Sequence, residues 1–179
     1  MKIINILLIS ILLLIACSSS GSSGWIRSLE SNANTVAINN EVTITTTFSA
    51  PYHAEDVGDD TSYFSDPFYL YFLIPIGLEY IDGSSQLYNN YWEDDLFGDP
   101  DHKPPFALTD CEDGTFALVY EFEEDEFYDP ESEDNFFLEY KLNSVLSLDG
   151  EIQAFLSESP AQFCGSTLAN KAVKIVVTP

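Results

Sequence analysis

Apolar and polar residues alternate through much of the chain after residue 25, with the period of a half-buried β-strand. The β-branched run over residues 42–48 places Val42, Ile44 and Phe48 on one side, and such residues favour strands. The same period recurs in four later stretches, residues 116–122, 136–142, 152–156 and 173–177. Each stretch is predicted to form a strand that buries one of its faces.

A continuous apolar run over residues 68–74 ends at Pro75 and fits a central strand that is covered on both sides. No stretch has the pattern of an amphipathic helix, and residues 161–171 could hold one helical turn at most. Loops with Asp-Gly, Gly-Ser and Pro separate the predicted strands. Together these features predict an all-β protein, an antiparallel β-sandwich of about seven to nine strands.

Residues 73–84 resemble the Leu-Pro-x-Gly-Leu-x-Tyr-x-x-Gly-Ser signature of Ig-like repeat domains in bacterial surface proteins. In that family the stretch ends one strand and starts the next across the sandwich. Residues 137–142, followed by 150–154, are similar to the family's later strand pair. The resemblance implies an Ig-like β-sandwich in a surface setting, and it carries no catalytic residues.

The N-terminal residues have the layout of a secretion signal. Lys2 precedes an apolar run over residues 6–16, which is shorter than the roughly 20 residues of a membrane-spanning helix. The sequence Leu14-Ile15-Ala16-Cys17 resembles the lipobox of bacterial lipoproteins. The resemblance implies that residues 1–16 are removed and that Cys17 carries the lipid. The alternative is an ordinary signal cut near Ala16, with Cys17 left as a thiol.

Residues 17–24 combine this cysteine with serines and glycines, a composition typical of a flexible tether. Several acyl chains on one residue hold a protein at a membrane far better than a single chain does. Ser18, where some lipoproteins have Asp, resembles the pattern sorted to the outer membrane in enterobacteria-like species. We therefore expect a protein of the bacterial cell envelope, anchored in the outer membrane, with the leaflet open. Residues 25–179 are predicted to form one domain.

The chain is strongly acidic, with 30 Asp and Glu against 6 Lys and Arg and a formal net charge of −24. Such a field repels nucleic acid and anionic lipid head groups. We therefore expect no nucleic-acid partner. The membrane is expected to be contacted through the lipid anchor.

Two cysteines, Cys111 and Cys164, remain once Cys17 is assigned to the lipid. A lone pair in an oxidising compartment is predicted to form a disulfide. The alternatives are two buried free thiols or a redox pair, although the wide spacing lacks a Cys-x-x-Cys arrangement.

Clustered carboxylates motivate a calcium hypothesis, because Ca²⁺ takes six to eight oxygen ligands and relieves carboxylate repulsion. The connection between the strands of Phe116 and Phe136 is the favoured location, with acids on both sides of Pro130. The candidate ligands are Asp125, Asp129, Glu131, Glu133 and Asp134. The alternative is a solvated acidic loop that keeps the domain soluble.

Aromatic residues in a turn-rich stretch, Tyr88, Tyr91 and Trp92, form a second candidate site. Exposed aromatic rings beside carboxylates can stack on sugar rings and bind their hydroxyls, which predicts a glycan site. The alternative is that Trp92 and its neighbours fold back to cover one end of the sandwich.

Motifs for catalysis are absent from the sequence. His53 and His102 have no nearby nucleophile in a recognisable arrangement, and no phosphate-binding loop or zinc spacing occurs. Acids are so numerous that some carboxylate pair must lie at a workable separation by chance, so a paired-carboxylate hydrolase has no specific support. We predict a non-enzymatic binding or adhesion role with a protein or glycan ligand. The alternative is a periplasmic structural or assembly lipoprotein that docks a basic envelope partner.

Overall fold

The computed structural model describes residues 25–51, 53–57, 60–64, 67–89, 101–123, 136–159, 163–164 and 169–179. Within these ranges the chain forms fourteen β-strands and no helix. The strands are β1 (Ile26–Ser31), β2 (Thr35–Ala37), β3 (Glu41–Phe48), β4 (His53–Val57), β5 (Asp60–Phe64), β6 (Phe68–Pro75), β7 (Leu78–Tyr80), β8 (Gln86–Asn89), β9 (Asp101–His102), β10 (Ala107–Asp110), β11 (Thr115–Phe122), β12 (Phe136–Ser144), β13 (Leu148–Ser157) and β14 (Lys171–Thr178). The predicted all-β class is confirmed.

Two six-stranded sheets enclose a shared apolar core. The first sheet has the order β1, β3, β12, β8, β9, and β7 also pairs with β12. The second sheet has the order β10, β11, β6, β13, β14, β2. The pairing is antiparallel except between β2 and β14, which run parallel, and β4 and β5 form a separate antiparallel hairpin. The predicted β-sandwich is therefore confirmed.

The number of strands exceeds the predicted seven to nine for a simple reason. Five strands, β2, β7, β8, β9 and β10, are only two to four residues long. A stretch this short shows too few alternating positions to reveal a period of two. Its pairing depends on neighbours that are distant in sequence, which a local pattern does not report.

The core between the sheets is built from alternate residues of the long strands. On β12, Phe136, Leu138, Tyr140 and Leu142 are buried, and the residues between them are only half-buried. β3 contributes in the same way, and β11 also gives alternate residues to this core, although Ala117 and Val119 between them are buried in a second cluster. Burial of a side chain of this size stabilises the fold by about 1.5–3 kcal/mol relative to exposure.

Strand β6 is buried on both faces, as its continuous apolar sequence predicts. Its even-numbered residues point into the main core, and Tyr69, Tyr71 and Leu73 belong to a second apolar cluster on the outer face of the second sheet. The Tyr71 ring stacks on Phe155 at 4.8 Å between centroids and meets Phe163 edge-on at 5.2 Å. Phe163, which lies between β13 and β14, therefore covers part of the outer face of the second sheet.

A disulfide holds the connection between β13 and β14 in place. Cys111, at the end of β10, is bonded to Cys164, with 5.5 Å between the two Cα atoms. The predicted disulfide is confirmed, and the alternatives of free thiols and a redox pair are not needed. The bond ties this connection to the edge of the second sheet.

The segment from Pro75 to Leu78 carries the chain from one sheet to the other. Pro75 ends β6 in the second sheet, and Leu78 begins β7 in the first sheet. Between them, Gly77 has a φ of +117° and accepts hydrogen bonds from the backbone N–H groups of Val145 and Leu146. The crossover expected from the Ig-like signature is therefore present.

Gly77→Ala is expected to lower the free energy of unfolding by about 1–3 kcal/mol, because L-residues rarely adopt this backbone conformation. The added Cβ would also lie 2.7 Å from Cδ2 of Leu148. Urea denaturation would measure the loss. Gly83→Ala is the matched control, because Gly83 has a φ of +72° and open space around the added Cβ. Equal losses in both variants would contradict a role for the Leu148 contact.

Tyrosine hydroxyls lie deep in the core. The Ser85 hydroxyl joins the hydroxyls of Tyr80, at 2.8 Å, and Tyr120, at 2.6 Å. The Tyr140 hydroxyl is also fully buried, and it has no hydrogen-bond partner within the described part of the chain. Burial raises the pKa of both Tyr120 and Tyr140 well above the ordinary value of tyrosine.

Four phenylalanines lie together at one end of the sandwich, where β1 begins and several long strands begin or end. Phe48 pairs with both Ile26 and Phe136, and Phe68 pairs with Phe122. The rings of Phe68 and Phe122 stack at 4.7 Å between centroids, and Phe48 lies 5.4 Å from Phe122. We call this end, defined by these five residues, the N-terminal pole.

More than half of the acidic residues lie in three connections between strands that end at the N-terminal pole. The connections over residues 49–67, 90–100 and 123–135 join strand ends at this pole. These three connections contain 17 of the 30 Asp and Glu residues and no Lys or Arg. More than half of the acidic residues therefore lie in connections that start and finish at strands of this pole.

Candidate functional site

The two sheets present very different outer faces. The centre of the outer face of the second sheet is covered, since Tyr69, Tyr71 and Leu73 of β6 are all less than 10% exposed, whereas Lys174 of β14 is exposed on the same sheet. On the outer face of the first sheet, Phe137, Glu139 and Lys141 of β12 are half-buried and reach the surface. Alternation determines this arrangement, because the residues between them fill the core.

Strand register aligns the side chains of the first sheet's outer face into two neighbouring rows. Phe137 pairs with Thr47 on one side and with Tyr88 on the other, which gives the aromatic row. The polar row runs across four strands and consists of Thr45, Glu139, Gln86 and His102. Since directly paired residues share a face of the sheet, these side chains form one surface.

Tyr88 is held in a defined orientation on this surface. Its hydroxyl donates a hydrogen bond of 2.6 Å to Oε1 of Gln86, which lies two residues earlier on the same face of β8. The hydroxyl end of the side chain is therefore held beside Gln86. Burial raises the pKa of Tyr88 above the ordinary value, and the nearby Glu139 carboxylate raises it further. The phenol thus stays protonated and remains a donor at neutral pH.

The neighbouring polar groups are mixed in character. Glu139 offers carboxylate oxygens as acceptors, and the amide of Gln86 retains two N–H donors. His102 lies at the edge of the sheet, where Nδ1 is 3.1 Å from the backbone oxygen of Ser85. Lys141 contacts Glu41 at 3.8 Å, and both side chains are largely exposed. The face can therefore hold a ligand that has both apolar surface and hydroxyl groups.

The structure reaches the predicted site residues only in part. Tyr88 lies on the aromatic row, whereas Tyr91 and Trp92 lie outside the described residues. Cys17 and the candidate calcium ligands also lie outside them, so lipid attachment and calcium binding stay predictions. The positions concerned are Cys17, Asp125, Asp129, Glu131, Glu133 and Asp134.

Phe137 is a site residue that the sequence-based prediction missed. The signal was available, because Phe136, Leu138 and Tyr140 set the buried phase of β12 and leave Phe137 out of phase. An aromatic residue on the solvent side of a strand is a candidate for binding. That Phe137 lies beside Tyr88 could not be predicted without the strand register.

Within the described ranges, no group of three or more His, Cys, Asp or Glu side chains is placed to hold a metal ion. The same ranges contain no helix that is long and apolar enough to cross a membrane.

Comparison with known proteins supports the fold. The sequence matches no family model and none of the curated proteins. Among solved structures, it resembles the major pilin SpaA of Corynebacterium diphtheriae, with a TM-score of 0.55 and 10% identity over 84% of this chain. The match spans 37% of the SpaA chain. This likeness confirms the predicted Ig-like β-sandwich.

Two other structures align with lower scores. The collagen-binding domain of the Erysipelothrix rhusiopathiae surface protein RspB has a TM-score of 0.39 and 11% identity, over 78% of this chain and 42% of that one. AvmM, which catalyses macrocyclization in alchivemycin A biosynthesis, has a TM-score of 0.38 and 7% identity, over 84% of this chain and 90% of that one.

Proposed function

We propose that this protein is a lipid-anchored, extracytoplasmic protein of the bacterial envelope that works by binding, in a non-enzymatic, adhesion-type role. The contrast between the two outer faces carries the proposal. On one face the central strand is covered, with Phe163 beside the Cys111–Cys164 disulfide packed on it, and the other face presents the aromatic and polar rows.

Two further observations support this role. The fold resembles that of SpaA, a bacterial pilin, which suggests a similar surface setting. The lipobox and the Ser/Gly-rich residues 18–24 suggest a permanent anchor with room for the domain to move. A domain held at a membrane in this way is suited to retaining a partner at the cell surface.

Cys17→Ser is expected to abolish membrane attachment, because the thiol is the proposed point of acylation. Phase partitioning in Triton X-114 should move the protein from the detergent phase to the aqueous phase. Labelled palmitate should be incorporated by the unaltered protein and not by the variant. The matched control is the double variant Cys111→Ser, Cys164→Ser, which should keep its label. A variant at Cys17 that still incorporates labelled palmitate would exclude this anchor.

Protease added to intact cells tests the surface setting. We expect the domain to be digested, and a periplasmic control protein in the same cells to survive. Protection of the domain would instead favour the alternative role, in which the charge of −24 docks a basic partner inside the envelope.

A further inference from the structure

We propose that the outer face of the first sheet binds a neutral oligosaccharide, with the aromatic row holding the sugar rings and the polar row binding their hydroxyls. This inference rests on the proposed binding function and adds the class of ligand. The observation behind it is the direct juxtaposition of Tyr88 and Phe137 with Gln86 and Glu139.

The aromatic row supplies two neighbouring, half-buried aromatic side chains. Tyr88 is restrained by its 2.6 Å hydrogen bond to Gln86, and its neighbour Phe137 is half-buried. Because both rings are already ordered, little side-chain entropy is lost when a ligand settles on them. The C–H face of a pyranose ring is flat and apolar, so it can pack against an aromatic ring.

The polar row supplies donors and acceptors beside these aromatic side chains. Glu139 can accept from two adjacent hydroxyls, and the amide of Gln86 can donate to a third. The row spans four strands from Thr45 to His102, which is about 14 Å at the usual strand spacing. This length fits several sugar units better than one, so longer oligosaccharides should bind more tightly.

Charge excludes the acidic sugars. The polar row contains the Glu139 carboxylate, and the chain as a whole carries a charge of −24. Lys141, which lies two residues after Glu139 on the same face of β12, forms an ion pair with Glu41. A uronate or a sulfated sugar would therefore meet repulsion, whereas a neutral sugar would not.

A protein ligand fits this face less well. A stable protein interface buries about 800 Å² per partner around an apolar centre. Two aromatic residues beside a row of polar side chains provide a much smaller apolar centre. Hydroxyl-rich ligands match this mixture, because they bring both apolar ring faces and hydrogen-bonding groups.

Isothermal titration calorimetry would test the inference. The protein is the full-length chain as cells process it, kept in a detergent that has no sugar head group. The probes are cellohexaose, chitohexaose, mannohexaose and galactohexaose, with hexagalacturonate as the anionic counterpart of the last. We expect at least one neutral hexasaccharide to bind and the anionic one not to bind. Tyr88→Ala and Phe137→Ala should each weaken binding by about tenfold, as expected for central aromatic contacts.

Phe106→Ala is the matched control, because Phe106 is an aromatic residue with 56% exposure outside the first sheet. Its affinity should equal that of the unaltered protein. Thermal melting identifies any variant that fails to fold, and Tyr88→Phe, which keeps the ring, gives a milder second test.

The inference would be overturned if no neutral hexasaccharide binds the folded protein, if hexagalacturonate binds more tightly, or if both alanine variants bind normally. The adhesion role is judged separately. Cells that carry the protein and adhere to immobilised collagen or fibronectin, while no hexasaccharide binds, would show that the ligand class is wrong and that a binding role stands.

Discussion

Replacing Cys111 and Cys164 together by serine is expected to lower the free energy of unfolding by about 4 kcal/mol. The disulfide closes a loop with a sequence separation of 53 residues, and a loop of that length restricts the unfolded chain by roughly this amount. For a domain of this size the loss corresponds to a fall in melting temperature of about 8–16 °C. Differential scanning calorimetry and urea denaturation would measure both quantities.

A second readout separates this effect from general damage. The disulfide ties the connection that covers Tyr71, Leu73 and Phe155, so its loss should expose an apolar surface and increase the fluorescence of a hydrophobic dye below the melting temperature. Reduction of the unaltered protein should reproduce the change. A loss of less than about 1 kcal/mol would mean that the connection stays in place through packing alone.

Stability should also fall steeply above pH 10, with Tyr120 and Tyr140 alone contributing about 2.7 kcal/mol for each pH unit once tyrosine ionises in the unfolded chain. Burial raises the pKa of Tyr120 and Tyr140 in the folded state. The unfolded chain therefore loses these two protons first, and the stabilisation that is complete below pH 10 is lost as the pH rises. Urea denaturation at pH 9, 10, 10.5 and 11 would give the slope.

Phenylalanine variants assign this slope to particular residues. Tyr140→Phe should remove about half of it at almost no loss of stability at pH 7, because the Tyr140 hydroxyl has no partner in the described part of the chain. Tyr120→Phe should remove a similar share but lower stability by about 1 kcal/mol at pH 7, because its bond to Ser85 is lost. An unchanged slope in the double variant would contradict the role of burial.

The local sequence pattern was sufficient to predict the long strands. The alternation in residues 136–142 predicted β12 and its buried phase, and the apolar run in residues 68–74 predicted a strand covered on both sides. The disulfide followed from counting cysteines, with Cys17 assigned to the lipid. Each of these inferences uses residues that lie close together in sequence or a count that needs no geometry.

Long-range register was beyond the reach of the sequence. The parallel pairing of β2 with β14 joins residues that are about 140 positions apart. Nothing in the sequence of either strand indicates which strand it pairs with. The contact between Phe137 and Tyr88 likewise depends on how β8 and β12 align. Of the candidate site, the sequence therefore predicted only Tyr88. The strand register was needed to find Phe137 and the polar row beside it.

The N-terminal pole determines how such a domain would stand at a membrane. If Cys17 carries the lipid, the eight residues 17–24 span about 15 Å, while repulsion between charges fades over about 8 Å at physiological salt. The N-terminal pole, which contains Ile26 of the first strand, would then be the end of the domain nearest the anchor. A tether of this length would keep the domain at the membrane and leave the outer face of the first sheet free to meet a ligand beside it.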